Sequence, residues 1–427
     1  MRTTLKRHAT PPRASLDAVL GFAWDAGGFV SDDAMAATGL TRTTTIDALD
    51  ELIDAGLLLE LPNARAAGEY RKGRPSRRFE LRADAAVVIG MDAGRAHLTT
   101  TVSDLRGATL ARETTELDVA HDSPEERRAA VANAIDSALA SASRSRESVL
   151  AVCVGVPAPV DADGRSPHHR DDFWRRMNPD LRDALDAWVP IVRIENDASL
   201  AAVAEGSVGS AVGVSDFVVL LAGERFGAGV VIDAHLLRGA HGGAGETVAF
   251  DHIVGVETAD GLGTRLTEWV RAAAAAGEIP PGHPLDGAPV ETLNGRAVIE
   301  LSRTGDAWSQ AMVERAGLLL ARIAAVFGSL YDPARIIVAG AIAEGLDEVV
   351  DVARARLPDE LDLPAPELVL STLGSASVAT GAVSAAIDAA RRGVLHLGDG
   401  RSPIGLGGTS ESPSDTGLPG VIGKLGP

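Results

Sequence analysis

Two strand–turn–strand units far apart in one chain constrain its fold more than any other feature. The first runs from AVVIGMDA into HLTTTVSDLRG, and the second is DFVVLLAGERFGAGVVID. In each, an apolar run meets a glycine-containing turn and a second β-rich run returns, the pattern of a hairpin. Strands and helices alternate around them. Glu125–Ser143 reads as a helix, VLAVCVGVPAP and VPIVRIENDA as strands, Trp308–Leu330 as a long helix, RIIVAG as a strand and Val378–Ala390 as a last helix. This alternation predicts an α/β protein, and the repeated hairpin predicts two lobes.

The first 83 residues follow another rule. Ser15 is expected to cap a helix with Leu16, Val19, Leu20 and Ala23 on one face, stopped by Gly27-Gly28. Ser31, with Asp32 and Asp33 at the positive end of the helix dipole, opens a second. Thr41 caps a third, with Ile46, Leu49, Leu52 and Ile53 as its inward stripe. LLLEL and RFEL then read as strands flanking a polar loop. Three helices and a hairpin in that order predict a winged helix-turn-helix.

Charge separates the two regions. The chain has 427 residues and a net charge of −19, yet residues 1–83 hold twelve Lys/Arg against eleven Asp/Glu. Abundance of arginine says little in a chain with three lysines, so clustering is the signal. It falls on the arm Met1–Arg13 and on Arg65–Arg82. The start of the third helix, TRTTT, exposes Arg42, Thr43 and Thr44 to phosphates and base edges. The wing places Arg71, Lys72, Arg74, Arg77 and Arg78 around a Gly-Arg-Pro turn suited to a minor groove. A solvated, flexible loop beside a small helical cap is the plainer alternative.

Boundaries follow: a basic arm at 1–14, a winged helix-turn-helix at 15–83, a sensing domain of two lobes at 84–392, and a Gly/Ser/Pro-rich tail at 393–427, expected to be disordered. One cysteine, Cys153, excludes an internal disulfide and a cysteine-rich zinc cluster. No apolar run is long enough for a bilayer, so a cytoplasmic protein with no membrane partner is expected.

In RIENDASLAAVAEG, Asn196 and Asp197 end a strand, where an open α/β sheet presents its crevice. An amide and a carboxylate suit sugar hydroxyls, although Asp197 can equally cap the helix that follows. RGAHGGAGETVAF brings glycines that permit close backbone approach, followed by Glu246. No Gly-Lys-Ser/Thr completes a Walker motif.

In this order the pieces resemble the ROK family of repressors and sugar kinases, over Ser15 to Ala390. The resemblance implies an actin-like fold, two ribonuclease-H-like lobes about a cleft, behind a winged helix-turn-helix. It places Asp92–Gly94 and LAGERFGAG at the phosphate hairpins, ENDA at the sugar site with the kinases' catalytic aspartate, and GGAGE at the loop whose glutamate holds sugar hydroxyls. The sugar-binding residues implied are Asn196, Asp197 and Glu246. Departures are as informative. Arg95 and Ala96 replace glycine and threonine, and Glu224 and Arg225 replace hydroxyl and glycine. Ala249 replaces a histidine, VETADGLGTR replaces the zinc cluster, and His168 follows Ser166 and Pro167 where asparagine is usual.

With hydroxyls lost and a carboxylate added where phosphate charge would sit, phosphoryl transfer is not expected. The sequence therefore predicts a transcriptional regulator, a repressor of carbohydrate genes. It would bind operator DNA as a homodimer and sense a sugar without phosphorylating it, with no cofactor or metal. The alternative is an active sugar kinase with an appended DNA-binding domain; a third is a regulator whose cleft binds nothing. Arg95 and Glu224, on facing hairpin tips, are expected to meet as an ion pair.

Overall fold

The structure is a computed structural model that describes residues 13–62, 76–118, 123–168, 172–340, 343 and 345–397. The arm before Arg13, the wing tip with Arg71, Lys72 and Arg74, and the tail from residue 398 lie outside these residues.

The amino-terminal unit contains α1 (Arg13–Asp25), β1 (Phe29–Val30), α2 (Ser31–Thr38), α3 (Arg42–Asp54), β2 (Leu58–Leu61) and β3 (Arg78–Leu81). Its sheet order is β1-β3-β2, antiparallel throughout, which makes a winged helix-turn-helix. Details depart from the sequence reading. Ser15 is buried inside α1 rather than standing at its start. In α3 the fully buried positions are Thr45, Ala48, Leu49 and Leu52, while Ile46 and Ile53 are only half-buried. Thr45 is tolerated inside because its hydroxyl donates to the Thr41 carbonyl at 2.9 Å.

The first lobe runs β4 (Val87–Ala93), β5 (His97–Asp104), β6 (Thr109–Glu116), α4 (Pro124–Ser141), β7 (Val149–Val156), α5 (Phe173–Met177), α6 (Leu181–Asp186), β8 (Ile191–Asn196) and α7 (Asp197–Val208). Its sheet order is β6-β5-β4-β7-β8, a meander with two parallel strands added. The second lobe runs β9 (Phe217–Leu221), β10 (Gly227–Ile232), β11 (His235–Leu236), α8 (Leu262–Ala276), α9 (Gly295–Arg303), α10 (Ala307–Tyr331), β12 (Arg335–Ala339), α11 (Asp347–Glu360) and β13 (Glu367–Leu370). Its order is β11-β10-β9-β12-β13, the same pattern again. The architecture is the doubled, actin-like α/β fold. Outer strands β6 and β13 escaped the sequence reading, since β6 is mostly polar and the apolar run of β13 is only three residues long.

The last helix, α12 (Ser377–Gly393), returns to the first lobe and packs on β4 and β7. It meets α7 backbone to backbone: a Cβ on Gly381 would stand 1.9 Å from the Leu200 carbonyl oxygen. On its other side α7 meets the second lobe, where a Cβ on Gly229 would stand 2.2 Å from the Ala198 carbonyl oxygen. Helix α7 is thus wedged between the lobes, and only glycine permits either approach.

Helix α12 also carries the amino-terminal unit. Arg391 donates to the Gly21 carbonyl at 2.7 Å and pairs with Asp25 at 2.8 Å. Trp24 Nε1 donates to the Leu105 carbonyl at 3.0 Å. Val394 and Leu395, past the Gly393 boundary read from composition, are buried in the same apolar cluster as Leu16, Val19 and Leu20.

Candidate functional site

The end of β4 presents Asp92, nearly buried, into the cleft. It pairs not with an arginine but with His97, which opens the return strand: Nε2 stands 3.3 Å from the Asp92 carboxylate. That bond raises the His97 pKa above its ordinary 6.5 against the opposing effect of burial, with Asp92 and Glu224 adding charge attraction. The turn between is held from below. Arg127, buried on α4, donates to the carbonyls of Gly94 at 2.8 Å and Ala93 at 2.5 Å. The expected Arg95–Glu224 ion pair does not form. Both side chains are exposed, and the group that feels Glu224 across the cleft is His97. A shorter side chain rooted in β5 reaches Asp92, whereas Arg95 at the tip has water available.

Asn196 and Asp197 stand at the β8–α7 junction, as the sequence placed them. Asn196, not Asp197, caps the helix: its Oδ1 accepts from Ser199 N at 2.9 Å while its Nδ2 donates to the Ala158 carbonyl at 3.2 Å. Asp197 is left for the cleft, its carboxylate accepting from the Ala198 N–H at 2.7 Å and from its own backbone. Its carboxyl is pushed up to about 8, mainly by the protein packed around it, then by Asp92, with Glu246 also contributing. Residues from three separate segments therefore converge electrostatically on one spot. Glu246 is brought there by a bridge that sets it beside Gly227 of β10. Its loop lies hard on the first lobe, since a Cβ on Gly242 would stand 1.9 Å from the Val160 carbonyl oxygen. Ala249 is exposed and offers no polar group. Ser166 accepts from buried Asn178 at 3.0 Å, a residue the sequence reading passed over.

The second hairpin is fixed through its backbone. Gly261 N and the Thr264 hydroxyl both donate to the Glu224 carbonyl, at 2.9 and 2.8 Å. Arg225 turns toward Asp260, at 3.9 Å. The following loop does not fit a metal ion. Among the described residues no three His, Cys, Asp or Glu gather, and Cys153 is buried in β7. Instead the loop encloses a cation of its own. Arg265 donates to the carbonyls of Val256 and Thr258 at 2.7 Å and of Asp260 at 2.8 Å.

In the amino-terminal unit, Thr41 caps α3 by accepting from Thr44 N at 3.3 Å, and the two hydroxyls lie 2.9 Å apart. Arg42 and Thr43 are exposed on the first turn; Thr44 is partly engaged in the cap. Arg77 departs from its expected place on a free basic tip. It pairs with Asp50 at 2.7 Å and Glu60 at 2.9 Å, and lies over Phe79. Its guanidinium is thus paired with carboxylates of α3 and β2. Arg78 is half-buried beside Gly28.

The chain is similar to several known proteins. Residues 88–253 match the ROK family profile. A xylose repressor of Caldicellulosiruptor bescii is 27% identical over 208 residues, 48% of this chain and 51% of that protein, so the match spans about half of that relative's length. The DNA-binding transcriptional dual regulator NagC of Escherichia coli K12 is 24% identical over 355 residues, 79% of this chain and 78% of NagC. A solved ROK family transcriptional regulator, a homolog of the E. coli MLC protein, superposes with a TM-score of 0.69 at 20% identity, covering 89% of this chain and 97% of that one. Solved sugar kinases share the fold of the two lobes.

Proposed function

We propose that the chain is a ROK-family, DNA-binding repressor of carbohydrate genes, acting in the cytoplasm, whose cleft binds a sugar. One observation carries the reading: a single packed route joins cleft and reading head. Asp197 opens α7, α7 lies backbone to backbone on α12, and α12 grips α1 through Arg391. Sugar held by Asn196, Asp197 and Glu246 would settle α7 between the lobes and bias the head, provided the two head positions differ in sugar affinity. Binding as a homodimer would multiply the few base pairs that one first turn of α3 can read. The acidic second half of α3, with Asp47, Asp50, Glu51 and Asp54, leaves that first turn as its DNA-facing part.

No phosphoryl transfer belongs to this reading. The first tip carries the Asp92–His97 pair and the second carries Glu224, which repels a nucleotide's phosphates. The kinase alternative rests on Asp197, whose raised pKa suits a general base. Sugar-dependent release of ADP would establish it.

The test is selection of bound fragments from random DNA by the full chain, followed by binding measurements with a panel of monosaccharides. Arg42→Ala should weaken the selected site about tenfold and lower the salt slope by about one. A sugar should release the DNA. Failure to enrich any sequence would overturn the proposal.

A further inference from the structure

A cavity of about 300 Å³ in the second lobe lies between the clasped loop and α10, apart from the cleft residues Asn196 and Asp197. Three guanidiniums line it, those of Arg265, Arg315 and Arg322, against one lining carboxylate, Glu257. The lining itself is net positive, in a chain of net charge −19. The three are not equally occupied. Arg265 spends Nε and Nη2 on loop carbonyls, but its Nη1 has no hydrogen-bond partner among the described residues. Burial lowers its pKa, the nearby carboxylates of Asp260, Glu268 and Glu257 work the other way, and Arg315 adds a smaller repulsion. Arg322 holds Glu360 at 3.6 Å, too long for a hydrogen bond. Arg315 lies flat over Trp269, 3.9 Å from the ring centre, and makes no hydrogen bond or ion pair among the described residues. Stacking fixes the plane of a guanidinium while leaving its edge donors unused, the arrangement that receives an oxyanion.

We propose that this cavity is a binding site for the phosphoryl group of a small phosphorylated molecule, received by Arg315 and Arg322 with Nη1 of Arg265. Donors from two helices, α8 with Arg265 and α10 with Arg315 and Arg322, suit a tetrahedral dianion better than a planar carboxylate, which a single fork satisfies. Space of this size holds the phosphoryl group and a few further atoms. The occupant would reach the second hairpin through the same loop, since Phe226 N donates to the Ala259 carbonyl at 2.8 Å and Gly261 N to that of Glu224. The site would thus report a second metabolite to the cleft, independently of any sugar.

Inorganic phosphate is the probe. The full chain is titrated by calorimetry at constant ionic strength, with acetate as the carboxylate counterpart. Phosphate should bind saturably at millimolar concentration, and Arg315→Gln and Arg322→Gln should each weaken it about tenfold. Arg182→Gln, a paired arginine in the other lobe, should leave it unchanged. Using both cavity variants keeps the test decisive should one fail to fold. No saturable binding, equal weakening by Arg182→Gln, or binding untouched by either cavity variant overturns the site. Acetate binding as tightly as phosphate overturns the phosphoryl assignment.

Discussion

The two lobes share one strand order, yet their hairpins are secured at different depths. In the first lobe Arg127 reaches the turn itself and binds the Ala93 and Gly94 carbonyls. In the second Arg265 binds a loop one step removed, which then holds the Glu224 carbonyl. Each lobe thus fixes a phosphate-type turn with one buried guanidinium, whose several donors in a plane suit converging carbonyls. Among the described residues, the first lobe carries the amino-terminal unit through α12. Repeated topology fixes where hairpins lie, while unrelated side chains decide what their tips can do.

The largest expected effect tests the guanidiniums. Arg265→Met should cost about 3 kcal/mol, because one buried and two half-buried carbonyls lose their donor, and Arg127→Met should cost a similar amount. Urea unfolding measures both. A loss below about 1 kcal/mol in either variant would break the parallel between the lobes.

Next comes Asp197, the cleft carboxyl of the first lobe. Folded, it keeps its proton up to about 8, while an unfolded aspartate loses it near 3.8. The folded state therefore binds more protons in that window, and stability falls as pH rises through it. Asp197→Asn should accordingly stabilise the protein by about 2 kcal/mol at pH 8, discounted for its partial exposure, with no gain near pH 3.8. A variant with no pH-dependent gain would show that the cleft does not load this group.

Arg391→Ala probes what the first lobe alone possesses. It removes the contacts to Gly21 and Asp25, so the head should be weakened by about 1–2 kcal/mol and melt separately in calorimetry. One unbroken transition at unchanged temperature would sink the idea that α12 grips the head.

The smallest effect concerns His97, whose side chain is 47% exposed. Its raised pKa means the pair with Asp92 stabilises below 6.5 and loses that contribution as pH rises through the folded value. His97→Gln should lose less than about 1 kcal/mol at pH 6, and its stability should rejoin that of the parent at alkaline pH. A constant difference at every pH would mean His97 acts by packing.

Legible in the sequence were the three helices and the hairpin strands of the amino-terminal unit, the two later hairpins and their order, and the placement of Asn196 and Asp197 at a strand end. These follow from short-range causes: apolar periodicity, caps such as Thr41, and punctuation by glycine. It also located basic character in the first 83 residues, because charge clustering needs no coordinates to count. Tertiary structure decided the rest. Which of 37 arginines are buried could not be read, because the partners of Arg127 and Arg265 are backbone carbonyls, which carry no residue signature. Arg77 looked like a wing cation until folding set Asp50 and Glu60 beside it. Arg95 and Glu224 drew attention by their positions, but the cleft geometry gave Asp92 to His97. The contact of Gly381 with Leu200, nearly half the chain apart, exists only because α12 folds back across α7. Local pattern is set by neighbours along the chain; a cleft is set by neighbours in space.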